Sequence, residues 1–425
     1  MVKHVVVIND LSAERDGPST IALATVRALR AKGVGVSYVC GDQGDNAALK
    51  ALGVSVHALG GTEIRQSNPA LAAVKGLFNA DASRLLSRLI RDIDTDQTIY
   101  HVHNWSKILS PSIFLSLRSV MPRVIITTHD YFLACPNGGF FNYKTQKMCD
   151  RIPLSAGCIC TNCDRRSYLE KAWRLARDVA RRGLLNLGQS SGSILAVHDG
   201  MIPHLVRGGI AREAIKVLRN PVKPWSPVRI EAERNKMFVF VGRLDADKGP
   251  DLLAQAATQA GVPLTLIGDG QLRASLARDY PNVTIAGFKT RQELAPIVRN
   301  ARALVVPTGS RETFSLVAFE ALASGIPVVM SKFAATVDEI VDQRVGLACD
   351  PYSADGLASI LKTLAEDDDE VKTMSQRAFD LRDVLTLSEA AWSDKLIDIY
   401  AQKLSSQGVV TEPDAPVELP NQYHA

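Results

Sequence analysis

Two series of short apolar strands alternate with helices, and one proline-rich break separates them. In the first series Val5–Ile8, Ser37–Cys40, Val54–Ala58, Thr98–Val102, Val124–Thr128, Ser193–Val197 and Ala214–Leu218 read as buried strands. Helical stretches such as Thr20–Lys32 and Pro69–Arg91 fall between them. The second series runs Met237–Val241, Leu264–Ile267, Val283–Ala286, Ala303–Val306 and Val328–Met330. Short β-branched strands joined by helices need right-handed crossovers, so each series predicts a parallel sheet covered on both faces. Pro221, Pro224 and Pro227 interrupt both helix and central strand. The expectation is therefore an α/β chain of two Rossmann-like, doubly wound domains: 1–220, a linker at 221–235, and 236–385. A last helix at 386–404 is long enough to cross back to the first domain. Residues 405–425, with Pro413, Pro416 and Pro420, read as a disordered tail.

At 425 residues the chain can bury two ordinary cores. The net charge of +4 is too mild to suggest nucleic acid, and no apolar run approaches the ~18 residues of a membrane span. The apolar stretch before Asp10 is too short for a secretory signal, so a cytoplasmic protein is expected. Seven cysteines, an odd number, argue against a disulfide framework.

Chemistry is expected in the loops after the strands, where open α/β sheets bind ligands. Gly242-Arg-Leu-Asp-Ala-Asp-Lys248-Gly249 follows the first strand of the second series. Arg243 and Lys248 beside a helix start would clamp a diphosphate; alternatively they are solvated loop charges. Asp245 and Asp247 read as loop and helix-capping acids. Gly268-Asp-Gly270 either lets a ligand approach the backbone or makes a tight turn. Glu312 and Glu320 stand eight residues apart. That is slightly more than two helical turns, which predicts both carboxylates on one side of a helix, with Glu312 at its start. Apolar and small neighbours around Glu320 suggest a carboxylate that needs a partner, and paired sugar hydroxyls would serve.

The ordered series Gly-Arg-Leu-x3-Lys-Gly, Ile-Gly-Asp-Gly and Glu-x7-Glu resembles the retaining nucleotide-sugar glycosyltransferases of family 4, which have the GT-B fold. The likeness is strongest over 237–361 and looser before it. It implies that Arg243 and Lys248 neutralise the diphosphate leaving group without a metal, as fixed cations would. It places Glu320 on the ribose hydroxyls and Glu312 near the transferred sugar. Backbone amides of Phe314, Ser315 and Leu316 would hold sugar or phosphate oxygens, and Gly242, Gly268 and Gly270 would run beside the nucleotide. His129, after strand Val124–Thr128, matches the family's cleft histidine and would contact the transferred sugar. His103 lacks such a match and reads as structural. The family usually has two adjacent glycines after the first strand; here Asp16 takes the first place and only Gly17 carries over. Ser19 or Thr20 is expected to cap the helix that follows.

Five cysteines fall between 135 and 163. Cys160-x2-Cys163 has the spacing of a metal knuckle, and Cys135 with Cys149 would complete a tetrahedral structural zinc site, Cys158 being the alternative ligand. Some relatives carry a similar cysteine set. The competing readings are reduced thiols or a redox pair. The segment 165–182 follows, with seven cations against two acids. It reads either as a membrane-surface helix or as a solvated helix covering the sheet. The expectation drawn from all of this is a retaining, membrane-peripheral glycosyltransferase. It would move a sugar from a nucleoside diphosphate to a glycan or lipid-linked acceptor in surface polysaccharide or glycoconjugate synthesis. No cofactor is expected for catalysis. The alternatives are another GT-B reaction such as nucleotide-sugar epimerisation, or a non-catalytic nucleotide-sugar sensor.

Overall fold

The structure, a computed structural model, describes residues 2–64, 69–187 and 193–406. Most of the tail expected to be disordered thus lies outside the described residues. Among those described, the N-terminal half forms a seven-stranded parallel sheet. Its strands are β1 (His4–Asn9), β2 (Gly35–Cys40), β3 (Ser55–Ala58), β4 (Thr98–Val102), β5 (Val124–Thr128), β8 (Ser193–Ala196) and β9 (Ile215–Val217), in the order β3-β2-β1-β4-β5-β8-β9. The C-terminal half forms a six-stranded parallel sheet from β10 (Met237–Val241), β11 (Leu264–Ile267), β12 (Thr284–Gly287), β13 (Ala301–Val306), β14 (Val328–Ser331) and β15 (Gly346–Cys349), ordered β12-β11-β10-β13-β14-β15. Strand order reverses beside β1 in one sheet and β10 in the other. The loops that follow those strands therefore open at topological switch points.

The central strands are apolar on both faces because helices cover both; β4 and β5 are buried along their whole length. Three features depart from the sequence reading. The edge strand β15 was missed, since Gly346-Leu-Ala-Cys349 is short and lacks β-branched residues. A two-stranded antiparallel ribbon, β6 (Phe141–Asn142) and β7 (Lys147–Met148), lies inside the cysteine segment. The stretch expected as one helix over Pro69–Arg91 is two, Pro69–Leu77 and Ala80–Ile93, because Asn79 caps the second by accepting from the Ala82 N–H.

The proline-rich connection is not a free linker. Pro221 pairs with Leu387, and the Val222 N–H donates to the Leu387 carbonyl at 2.8 Å, so both crossings between the halves run side by side. Trp225 and Ile230 are buried within the central core. Beyond the second crossing, helix Glu389–Ser405 packs Trp392, Leu396 and Tyr400 into the N-terminal core against helix Gly17–Ala31.

Candidate active site

The C-terminal ends of strands from both sheets meet. The Thr313 hydroxyl, from the loop after β13, donates to the His129 carbonyl at the end of β5 (2.7 Å). Arg311 beside it pairs with His204 (2.5 Å) and lies over the Tyr131 ring. Farther along, Glu339 is clasped by His198 (3.1 Å) and Arg219 (2.8 Å) from the opposite half. The strand ends are thereby held in register across the junction.

On the C-terminal side the anion-binding candidates are cross-linked among themselves. Lys248 Nζ donates to Glu312 Oε2 at 2.7 Å, and Thr308 Oγ1 supports the same oxygen at 3.3 Å. Arg243 is more than half exposed and pairs with Asp245 and Asp247. These two acids therefore do not cap a helix as expected: the helix Pro250–Ala260 starts after Gly249, which makes no side-chain cap. Gly249 is left-handed (φ 72°), and a Cβ there would lie 2.5 Å from the Pro307 carbonyl oxygen. Only glycine lets the Lys248 loop approach the loop bearing Glu312 so closely.

The two glycines after β11 serve a similar approach. A Cβ on Gly268 (φ 143°) would fall 1.8 Å from the Gly242 oxygen, and one on Gly270 would fall 2.6 Å from Leu244 backbone. The Leu244 N–H donates to the Asp269 carbonyl at 2.9 Å. Gly268 and Gly270 thus let the two loops that frame the switch point lie against each other.

The two glutamates do not share a helix face. The helix spans Leu316–Leu322, so Glu312 stands in the preceding loop and only Glu320 is helical. The residues Thr313 and Phe314 turn the chain first, Phe314 stacking on Phe319 at 4.4 Å. Ser315 is the N-cap residue but makes no side-chain cap, which leaves first-turn amides for other acceptors. Glu320 is mostly buried. Its Oε1 accepts from Arg291 (2.5 Å) and its Oε2 from the Trp225 indole (3.1 Å). Burial raises its pKa, against the opposing pull of Arg291 and Trp225. Neither partner was legible in the sequence: Arg291 is 29 residues away and Trp225 is 95.

On the N-terminal side the groups are neutral and desolvated. Burial lowers His101 to about 3 and His129 to about 4, and holds His103 well below its ordinary value. The hydrogen bonds fix the tautomers of His103 and His129. The Thr25 hydroxyl donates its one proton to the Ile21 carbonyl (3.0 Å), so its oxygen accepts from His103 Nε2–H (3.2 Å). Neutral His103 then has a bare Nδ1, which accepts from His129 Nε2–H at 3.1 Å. His129 is left with an unprotonated Nδ1, able to accept from a hydroxyl and unable to donate. His103, read as structural, orients His129 through this chain.

The loop after β1 also differs from expectation. Asp16 itself caps the helix Gly17–Ala31, accepting from the Ser19 N–H (2.9 Å) while the Ser19 hydroxyl oxygen accepts from the Asp16 N–H (3.1 Å). Ser19 completes this box and is not itself the cap. Asp16 also pairs with Lys107, which lowers its pKa against the effect of burial. Nothing lies within 4 Å of a Cβ on Gly17, so sterics do not demand glycine there.

The proposed four-thiolate zinc set is not assembled. Among the described residues no three Cys, His, Asp or Glu side chains are gathered to hold a metal. Cys160 is exposed at the end of helix Ala156–Cys160, and Cys149 is only half-buried. Buried Cys158 turns inward instead and accepts from Lys171 Nζ at 3.5 Å, while Cys135 and Cys163 stand close enough to favour the same ammonium. Lys171 thus lies beside three of the five thiols, two of them from the expected set. The ribbon of this insertion packs Phe141 against Phe333 and Tyr352 of the C-terminal half.

The basic helix, Tyr168–Leu184, is likewise turned inward. Arg174 pairs with Asp164, Arg181 and Arg182 with Asp178, and Arg166 with Glu170. Arg165 lies over Tyr143, Lys171 meets the thiols, and Arg177 donates to the carbonyls of Gly76 and Ser106. All seven cations thus have partners within the chain, while Arg165 and Arg166, just before the helix, stay exposed.

Two parallel sheets joined by paired crossings, with strand ends meeting, make the fold that of the GT-B glycosyltransferases. Sucrose-phosphate synthase from Thermosynechococcus elongatus superimposes with a TM-score of 0.69 at 16% identity, covering 95% of this chain and all of that one. Anabaena Alr3699/HepE in complex with UDP gives 0.65 at 14% identity, covering 94% and 100%. Residues 223–380 match the family model described as glycosyl transferases group 1. The GDP-mannose-dependent alpha-mannosyltransferase of Mycobacterium tuberculosis (strain CDC 1551 / Oshkosh) is 32% identical over 181 residues, 41% of this chain and 46% of that protein. The chain thus spans less than half the length of the curated relatives it matches. No described helix is long and apolar enough to cross a membrane.

Proposed function

We propose that this protein is a retaining glycosyltransferase of family 4, moving a sugar from a nucleoside diphosphate donor to a glycan or lipid-linked acceptor. The observation that carries the reading is the juxtaposition of Arg243 and the Lys248–Glu312 pair, after β10 and β13, with His129 after β5. Leaving-group departure puts negative charge on a diphosphate oxygen, and Arg243 with Lys248 neutralises it. Lys248 exchanges part of its bond to Glu312 for the phosphate, which frees Glu312 toward the sugar. Glu320 accepts from the ribose through the lone pairs that Arg291 and Trp225 leave open. The first-turn amides around Phe314, Ser315 and Leu316 hold donor oxygens. His129 Nδ1 accepts from a hydroxyl of the transferred sugar. Because His129 is neutral and its Nδ1 bears no proton, it positions the sugar and does not protonate the leaving group.

Support for a nucleotide donor comes from the match over 223–380 and from relatives whose names specify GDP-mannose or whose structures hold UDP. The membrane-peripheral location and a role in surface polysaccharide or glycoconjugate synthesis belong to the same proposal. The test is a screen of UDP- and GDP-sugars by thermal shift, followed by turnover of the donors that bind. Slow nucleotide release with one donor, with the α or β configuration retained in the product, is expected. Tight binding with no turnover of any donor would leave a nucleotide-sugar sensor instead.

A further inference from the structure

A cavity of about 830 Å3 lies under the helices Pro69–Leu77 and Tyr168–Leu184, and Asp130, the residue after His129, is on its wall. Its lining is mainly hydrocarbon, with Ala72, Ala73, Phe132, Leu169, Ala172 and Trp173 among the residues that form it. The same two helices and the residue that follows the first carry six of the fifteen large hydrophobic side chains left exposed among the described residues. These are Leu71, Val74, Phe78, Tyr168, Leu169 and Val179, and Leu169 is 81% exposed. Apolar surface on this scale beside a cavity marks a place where another apolar group sits.

The charged residues on the cavity wall include Lys107, Asp130, Glu170, Arg174 and the buried Arg177. Arg177 lines it and is 7% exposed, with Trp105 and Trp173 against its guanidinium at 5.2 and 5.4 Å. Its hydrogen bonds go to the Gly76 and Ser106 carbonyls, and no carboxylate among the described residues forms an ion pair with it. Burial lowers its pKa to about 10, against the opposing pull of the Asp10 and Asp130 carboxylates, which act on it from beyond ion-pair distance. Asp130 spends one carboxylate oxygen on the Phe132 N–H at 2.9 Å and keeps the other for a hydroxyl.

We infer that this cavity takes the acceptor, and that the acceptor is amphipathic: a hydrocarbon chain joined to a phosphate-type anionic group and a hydroxyl-bearing head. The chain lies along Ala73, Ala172 and Trp173, the anion meets Arg177, and the hydroxyl reaches Asp130 beside His129. The inference rests on the glycosyltransfer reading; of the two acceptor classes in that reading it selects the lipid-linked one and assigns it a place in the fold. It also moves the contact with lipid from Arg174, Arg181 and Arg182 of the basic helix, which are internally paired, to the apolar surfaces of two helices and the buried Arg177.

The probes are hexyl, octyl and decyl phosphate, titrated calorimetrically into the full chain below their micelle concentrations. Affinity is expected to rise about threefold to fourfold per added methylene. Decanol and inorganic phosphate should bind at least tenfold more weakly than decyl phosphate. Ala172→Trp, which fills the cavity, should remove the dependence on chain length. Leu169→Asp, at an exposed position that folding does not need, should weaken decyl phosphate severalfold. Chain-independent binding, or binding untouched by both substitutions, would overturn the inference; equal binding of decanol would overturn its anionic part. Nucleoside diphosphate binding is measured on the same samples. Its absence would count against the donor reading and leave the cavity result standing.

Discussion

The two sides of the site handle polarity in opposite ways. After β10 and β13 the chain presents partly exposed charges in pairs, Lys248 with Glu312 and Arg243 with two aspartates. After β4 and β5 it presents histidines stripped of water, neutral and hydrogen-bonded in series. A diphosphate that gains charge as it leaves needs cations that can change partners, and paired charges at a surface do so at low cost. A sugar hydroxyl needs an acceptor in a fixed orientation, and a desolvated chain of hydrogen bonds supplies one. Substitutions should therefore act differently on the two sides.

The largest effect is expected on the charged side. Lys248→Ala should lower kcat by about 10²–10³ while nucleotide binding falls less, as removal of a group that meets developing charge does. Glu312→Gln should cost less. In the double variant Lys248→Ala/Glu312→Gln the losses should fall short of additive, because each residue acts partly through the other. Steady-state kinetics of the four proteins would show it. Strict additivity would mean that the 2.7 Å pair has no part in presenting Lys248.

The neutral side should be visible first in stability. His101 and His129 titrate in the folded chain at about 3 and 4, against an ordinary 6.5, and His204, more open to solvent, at about 4. Their folded values are depressed, so the unfolded chain binds protons first as pH falls. The stability they contribute is complete above pH 6.5 and drains away as pH falls from 6.5 to about 4 for His129 and His204 and to about 3 for His101, by up to about 1.4 kcal/mol per pH unit for each fully buried group. Thermal melts should be flat from pH 7 to 8 and fall steadily below 6.5. A melting temperature constant from 7 to 5 would contradict the burial of these rings.

This contrast also explains how far the sequence could be read. Strand ends were legible because β-branched runs stop at loops rich in glycine and charge, and Arg243, Lys248 and His129 stand where those runs end. Gly268 was legible as a constraint but not as to its cause, since the Gly242 carbonyl that excludes a side chain comes from another loop. The partners that orient each group were not legible at all. Thr25 lies 78 residues from His103, and Trp225 lies 95 from Glu320. Spacing along the chain says nothing about such pairs. The cysteine segment misled for the same reason: its spacing suits a metal, but Cys160 turns out to solvent and Lys171, from the next helix, meets Cys158.

A smaller effect tests the tautomer chain directly. Thr25→Val keeps the shape of the side chain and removes the oxygen that accepts from His103 Nε2–H. The histidine pair would then be free to exchange tautomers, and His129 Nδ1 would carry a proton part of the time. Nitrogen-15 shifts of His129 should move from a pure Nε2–H pattern to a mixed one, and kcat should fall about tenfold with little change in nucleotide affinity, the loss of one hydrogen bond at a reacting centre. Thr25→Ser should restore both. A purely structural Thr25 would alter melting temperature without touching the His129 spectrum.

The smallest effect distinguishes the two glutamates. Trp225→Phe deletes only the indole donor to Glu320 Oε2 and leaves Arg291 on the other oxygen. One hydrogen bond to a charged group contributes about 1.5–3 kcal/mol, and because Trp225 acts on the donor only through Glu320, nucleoside diphosphate binding should weaken by a part of that, about fivefold. The loss should appear with the free nucleoside as well, because Glu320 is assigned to the ribose and not to the phosphates. Lys248→Ala should do the reverse, weakening the diphosphate and sparing the nucleoside. If both variants weakened nucleoside and diphosphate alike, Glu320 and Lys248 would share one role, and the division between a residue that holds the donor and one that receives its charge would fail.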